Sequence, residues 1–213
     1  DLSLLSETAR LGAELASQFP RIDVLLNNAG ALFASRRLTS DGFERTFALN
    51  HLGYFSLTCH LLDSLLASPV ARIVNVASRA HIGPQIAFDD INLERGFKTR
   101  RAYQMSKLAN ILFTRELARR LSHTTATVNC LHPGFVSTNF GMNNGFIVRN
   151  VVKAMMRMSA ITVEEGARTP VYLVNSPDVV GVTGQYFVNC RQREPSSEAR
   201  DDAAAAKLWE VSE

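Results

Sequence analysis

IDVLLNNAG, residues 22–30, is the stretch on which the fold turns. A short apolar run over 22–26 stops at Asn27-Asn28-Ala29-Gly30, where Asn and Gly suit a tight turn. Short apolar runs of this kind are typical of strands in parallel sheets, which are covered on both faces. Three further runs follow the same plan: 72–77 ending at Ser78, 126–131 followed by His132-Pro133-Gly134, and 184–188. Helical periodicity fills the intervals. It covers 4–19, closed by Pro20; 40–67, with an irregularity expected near 50–53; 101–121; 163–175; and a short terminal helix over 203–211. Residues 80–99 read as a long mixed loop, 141–159 as a mobile lobe, and 191–202 as a polar loop. Alternating strands and helices predict an α/β fold, a doubly wound parallel sheet between two helix layers. Ligands of such sheets gather outside the carboxyl ends of the strands. Asn28-Ala29-Gly30, Ser78 and Pro133-Gly134 each follow such an end, so the topology draws them to one edge.

The helix over 101–121 carries the sharpest chemical signal. At ~100° per residue, Tyr103, Lys107, Asn110 and Thr114 share one narrow stripe. Met105, Leu108, Ala109, Leu112 and Phe113 lie on the far side. Tyr103 and Lys107, four residues apart, stand one turn apart on the same face. A free phenol has a pKa of about 10, and a nearby cation is expected to lower it. That pairing makes a proton donor and acceptor usable near neutral pH. A solvated helix face is the better explanation of the pair when it is taken alone. Likewise Ser78 suits a helix cap, Asn50 a kinked helix and Pro133-Gly134 an everyday turn. Order and placement together favour chemistry.

Composition narrows the function classes. A chain of 213 residues, 46% hydrophobic and 20% charged, has the make-up of a globular protein with a real core. No apolar run is long enough to span a bilayer. The net charge is +3, and the basic residues are scattered pairs such as Arg36-Arg37 and Arg119-Arg120, which speaks against nucleic acid. Cys59, Cys130 and Cys190 lie far apart, which implies free thiols and a reducing, intracellular compartment. The five histidines show no metal-ligand spacing.

With these residues in place, the chain resembles the short-chain dehydrogenase/reductase family over nearly its whole length. The matches are NNAG at 27–30, LNHLGYF around Asn50, VNVAS ending in Ser78, AYQMSKLAN holding Tyr103 and Lys107, and HPGFVST at 132–138. The long interval from Ser78 to Tyr103 and the closing TGQYFVNCRQREPS are similar to the retinol-dehydrogenase-like branch. The resemblance implies a Rossmann-like domain over 1–213 and an NADP- or NAD-dependent oxidoreductase. Its implied substrate is an apolar alcohol or carbonyl such as a retinoid, steroid or lipid aldehyde. Tyr103 is then the general acid/base, and Lys107 lowers its pKa and holds the nicotinamide ribose. Ser78 orients the substrate oxygen, and Asn50 holds a relay water. Asn28, Ala29 and Gly30 lie along the adenosine ribose. Pro133, Gly134, Val136 and Thr138 pack on the nicotinamide, and Asp1 sits near the adenine. Phe140, Met142, Phe146, Met155, Met156 and Met158 either line a greasy pocket or are plain helix core. The resemblance also implies a homodimer through the helices over 40–67 and 101–121. Leu57, Leu61, Leu65, Leu108 and Leu112 exceed what one sheet contact needs. The rival readings are a non-catalytic nucleotide-binding or scaffold protein, and an inert fragment of the enzyme.

One departure stands out. No G-x-x-x-G-x-G occurs in the chain, although the cofactor pyrophosphate sits on that loop. The expectation is that a segment before Asp1 carries it, with strands one to three and any membrane anchor, which places the protein in the cytoplasm or on the cytoplasmic face of a membrane. An interior strand then becomes an edge. The 213-residue chain by itself is therefore expected to bind NADH and NADPH poorly. Calorimetric titration checks this, and saturable micromolar binding by a monomeric, cooperatively melting chain would overturn it.

Overall fold

The computed structural model describes residues 1–134, 136 and 161–213. Five strands form one sheet in chain order: β1 (Val24–Asn27), β2 (Arg72–Val76), β3 (Thr127–His132), β4 (Tyr186–Val188) and β5 (Arg191–Arg193). β1 to β4 are parallel, and β5 returns antiparallel on β4. The helices are α1 (Leu5–Gln18), α2 (Arg45–Phe47), α3 (Gly53–His60), α4 (Leu62–Leu66), α5 (Thr99–Arg120), α6 (Val163–Asn175) and α7 (Asp202–Ser212). One face of the sheet carries α5, with α7 and α3 against it and α1 outside α3. The other carries α6, whose Leu173 packs on Val74, Val76, Leu131 and Phe187. β2 is apolar toward both layers, with Ile73 and Val74 at most 1% exposed. This is the three-layer α/β arrangement that the alternating pattern predicts.

The irregularity expected near 50–53 is a π turn, Ala48–Leu52, lying between α2 and α3. Single π turns of this kind are frequent at functional sites. His51, fully buried within it, reaches the Ser212 hydroxyl at 3.0 Å and so ties α7 to the turn.

Several expectations need correction. The helix predicted from residue 40 starts at Arg45. Its cap is the buried Glu44 carboxylate, which accepts from the Thr46 and Phe47 N–H groups and the Thr46 hydroxyl at 3.0 Å. A carboxylate here satisfies orphan donors of the first turn, and the chain before it is held instead by a Leu38–Glu44 bridge. The polar loop over 191–202 contains β5 and a 3₁₀ turn, Glu198–Arg200. β5 is reached through Asn189 and Cys190, both at positive φ (51° and 58°), the geometry of a two-residue hairpin turn. Leu61, Leu65, Leu108 and Leu112 are each at most 1% exposed within the single chain. They pack into its own core clusters and supply no argument for a partner. The lobe over 141–159 lies outside the described residues. All three cysteines are free thiols, and among the described residues no helix is long and apolar enough to cross a membrane. β1 pairs with β2 alone among the described strands. Val24 and Leu26, on its α6 side, are 36% and 40% exposed.

A polar ladder runs through the interior beneath the carboxyl ends of the strands. Asn27 on β1 donates to the Asn75 side-chain oxygen on β2 (2.9 Å) and to Thr58 on α3 (3.0 Å). Asn75 donates to the Thr114 hydroxyl on α5 (2.9 Å), which donates to the Asn110 carbonyl (2.7 Å). Buried polar groups are stable when each is paired, and removing one partner strands the others. Asn75→Ala is therefore expected to lower unfolding free energy by about 2–4 kcal/mol, since it takes one buried partner from Asn27 and one from Thr114. Denaturant melts check it. A midpoint equal to the parent's would show that the ladder adds nothing to stability.

Candidate active site

α5 brings the stripe of Tyr103, Lys107, Asn110 and Thr114 against the carboxyl end of β2. The stripe does not face solvent as an amphipathic reading suggests. Lys107, Asn110 and Thr114 are buried, and Tyr103 is half-buried. The Lys107 ammonium donates to the Val76 carbonyl at 2.9 Å, and the Asn110 amide donates to the same oxygen at 3.2 Å. The ammonium also stands 5.9 Å from the Tyr103 ring centre and 5.8 Å from that of Tyr54. An ammonium has three donors, and Val76 takes one of them.

Ser78 lies two residues past β2 in an extended conformation. Its hydroxyl accepts from the Ala80 N–H at 3.1 Å, and Ser78 acts on the Tyr103 phenol in the direction that lowers its pKa. Asn50 sits in the π turn, fully buried. Its side-chain oxygen accepts from the Ala31 N–H (2.9 Å), and its amide donates to the Ala31 carbonyl (3.0 Å) and the Ser106 hydroxyl (3.0 Å). Ser106 in turn donates to the Tyr103 carbonyl at 2.8 Å. Asn50 thus clamps the turn after β1 onto α5. Gly30 lies in that clamp, where a Cβ would come within 3.2 Å of the Asn50 side-chain oxygen and 3.4 Å of the Lys107 nitrogen.

The other sequence-predicted positions lie on separate segments. Asn28 and Gly30 are exposed and Ala29 half-buried, on the turn that Asn50 holds. Pro133 and Gly134 follow β3, and Gly134 is at φ +96°, where a Cβ would also strike Ile161 at 2.5 Å. Val136 forms a bridge with Ile161, and its side chain is what a Cβ at Gly166 would meet. Asp1 is exposed, and its carboxylate accepts from the N–H and hydroxyl of Ser3 at 2.9 and 2.8 Å. Thr138, together with Phe140, Met142, Phe146, Met155, Met156 and Met158, lies outside the described residues. The structure brings Asn50, Ser78, Tyr103, Lys107 and Gly30 into one cluster. Ser106 is a member that sequence reading passed over. The sequence offers only a small hydroxyl beside Lys107; the fold sets it against Asn50.

The electrostatics correct one expectation. Burial pushes the Tyr103 phenol up to about 12, with the Ser78 hydrogen bond acting in the opposite direction. Burial likewise pushes the Lys107 ammonium down to about 7. In the chain by itself, dehydration outweighs the cation's pull on the phenol, because the low-dielectric surroundings disfavour the charge on each group. The arrangement is a neutral phenol and a poised amine. It suits proton exchange with a substrate oxygen on Ser78 and Tyr103. Among the described residues, no cluster of His, Cys, Asp and Glu is able to hold a metal.

Comparison with known proteins agrees with this geometry. The family model described as short chain dehydrogenase matches residues 1–145. Retinol dehydrogenase 14 of Mus musculus is 45% identical over 215 residues, covering all of this chain and 64% of its own length. The chain thus spans a little under two thirds of that relative. A crystal structure of an uncharacterized protein from Mycobacterium Paratuberculosis superposes with a TM-score of 0.74 at 31% identity, covering all of this chain and 72% of that one. The Pseudomonas aeruginosa RhlG/NADP active-site complex gives a TM-score of 0.64 at 27% identity, over 88% of this chain and 72% of that one. With a family match over more than half its residues and a sheet and site of the corresponding form, this chain belongs to the short-chain dehydrogenase family.

Proposed function

We propose that the protein containing this chain is an NAD(P)-dependent oxidoreductase that interconverts an alcohol and a carbonyl on an apolar substrate, with Tyr103 as the proton donor and acceptor. The observation that carries this reading is the buried Lys107 ammonium, held on the last carbonyl of β2 and 5.9 Å from the Tyr103 ring, beside Ser78 at the carboxyl ends of the strands. Retention of Asn50, Ser78, Tyr103 and Lys107 together weighs against a non-catalytic scaffold. The relative named retinol dehydrogenase supports an apolar alcohol, and the NADP complex of the solved relative supports the phosphorylated dinucleotide.

The residues present fit the nicotinamide end of such a cofactor. The Gly30 turn leaves side-chain-free backbone beside Lys107, and Gly134 does the same after β3. Lys107 has ammonium donors to offer a ribose diol. The turn carrying Asn28, Ala29 and Gly30 and the segment with Pro133, Gly134 and Val136 would flank it. A bound nicotinamide supplies or accepts the hydride. The chain's own part is the proton and the geometry. During reduction the Tyr103 phenol gives its proton to the carbonyl oxygen, and during oxidation its phenolate, formed once that proton has left to solvent, takes the hydroxyl proton. Ser78 holds the substrate oxygen beside it, which aligns the carbon for transfer. Asn50 keeps the Gly30 turn pressed against Lys107. Both of its amide hydrogens are committed, so a relay water falls to the remaining lone pair on its oxygen.

Two outcomes follow. In the complete protein, Tyr103→Phe should cut turnover by about 10²–10⁴-fold while leaving nucleotide affinity near the parent's. Steady-state rates and nucleotide titration check it, and turnover within about twofold of the parent would remove the assignment. Lys107→Met should trade activity for stability. Lys107 is charged in both folded and unfolded chains below about 7, whereas between about 7 and the ordinary value of 10.5 the unfolded chain alone keeps the proton. Parent stability therefore rises with pH across that window. The methionine variant lacks that rise and is more stable near neutrality by something on the order of a few kcal/mol. Melts at several pH values test this, and parallel pH curves for the two proteins would refute it.

A further inference from the structure

Three residues past Ser78, on the 3₁₀ turn Arg79–His81, His81 is buried to 2% exposure. Its Nδ1 lies 2.7 Å from the Ser78 carbonyl oxygen, and its Nε2 lies 3.2 Å from the backbone nitrogen of Ser196. The roles of the two nitrogens are forced. A backbone N–H only donates, so Nε2 must present a lone pair to Ser196. A carbonyl only accepts, so Nδ1 must carry the hydrogen. An imidazolium would set one N–H against another at Ser196, so the tie requires the neutral ring. Tyr186 on β4 packs its ring edge-on against the imidazole at 5.2 Å. Glu198, Arg79 and His132 are the charged or titratable groups whose fields also reach this cluster.

The Ser78 carbonyl already accepts the His81 backbone N–H at 3.2 Å, as the turn requires. The imidazole is a second donor on the same oxygen, and the shorter contact of the two. It holds the peptide plane that leaves Ser78, and with it the extended backbone (φ −161°, ψ 156°) that carries the Ser78 hydroxyl. The far end of the tie is 115 residues along the chain, between β5 and the turn Glu198–Arg200.

We propose that His81 is a positioning residue for Ser78: its neutral imidazole, protonated on Nδ1, links the Ser78 carbonyl to the Ser196 N–H and aims the Ser78 hydroxyl at the reacting oxygen. This rests on the oxidoreductase reading above. It makes the order of the segment around Ser196 a determinant of turnover, although that segment supplies no group to the chemistry.

The test uses the complete protein, with ¹⁵N-labelled histidine and two variants. Long-range ¹H–¹⁵N correlation spectra of the parent should show His81 as the Nδ1–H tautomer, the less favoured form of free imidazole. His81→Leu should lower kcat by about 10–10²-fold with nucleotide affinity unchanged, as expected for a small misplacement of a reacting group. His81→Asn keeps a side-chain N–H for the Ser78 carbonyl and should recover most of that loss. An Nε2–H tautomer in the parent overturns the proposal. So does His81→Leu with parental kcat, or equal losses in both variants, which would mean packing alone. If His81→Leu does not fold, the tautomer and the His81→Asn rate decide. If the parent turns over neither alcohol nor carbonyl, the oxidoreductase reading falls. The tautomer and the exchange protection of the Ser196 amide then still judge the tie itself.

Discussion

A lysine ammonium, almost without solvent, resting on the last carbonyl of a central strand is the constraint around which this site is arranged. Dehydrating such a group is expensive unless it is hydrogen-bonded. Val76 supplies that oxygen to Lys107 and shares it with Asn110. Three features follow from this one contact. β2 must end at Val76, so that its carbonyl is free to turn toward α5. α5 must run close along the sheet, and that closeness carries Tyr103 over the strand ends. The turn after β1 must be nearly side-chain-free, because a Cβ at Gly30 would come within 3.4 Å of the Lys107 nitrogen.

The same burial that organises the site works against its charge. Lys107 is pushed toward neutrality and Tyr103 away from ionisation, both by loss of water. A fully solvated pair would be more stable and chemically idle. A pair in low dielectric responds strongly to whatever charge or dipole enters the cleft, since Coulomb interactions there are less screened. Marginal stability locally and responsiveness chemically have one physical origin here.

Around this centre the chain uses neutral hydrogen bonds to hold geometry. Asn27, Asn75 and Thr114 join β1, β2 and α5 below the site. Asn50 and Ser106 join the π turn to α5 beside it. His81 joins the loop after β2 to the segment after β5 above it. None of these links brings a formal charge into the interior, so each fixes orientation at little desolvation penalty.

Much of this was legible in the order of residues. Apolar runs of strand length, each closed by a turn or a serine, mark β1, β2 and β3 and the edge on which Gly30, Ser78 and Gly134 meet. The four-residue step from Tyr103 to Lys107 places phenol and amine on one helix face, because helical geometry depends on the local chain alone. Even the irregular turn near Asn50 announced itself. β5 did not, since Asn189-Cys190 lacks the glycine that usually marks a left-handed hairpin turn, and its strand RQR is polar throughout. Leu61, Leu65, Leu108 and Leu112 looked like surplus apolar surface until the packed helices covered them. The phenol's direction of shift was misjudged for the same reason. Which residues share a strand, a turn or a helix face was set by neighbours in sequence. Which of them lose water, and so which charges are suppressed and which amides must find partners, was decided by segments up to 161 residues apart folding over one another. Dehydration is a property of everything that surrounds a group in space, and chain order does not carry it.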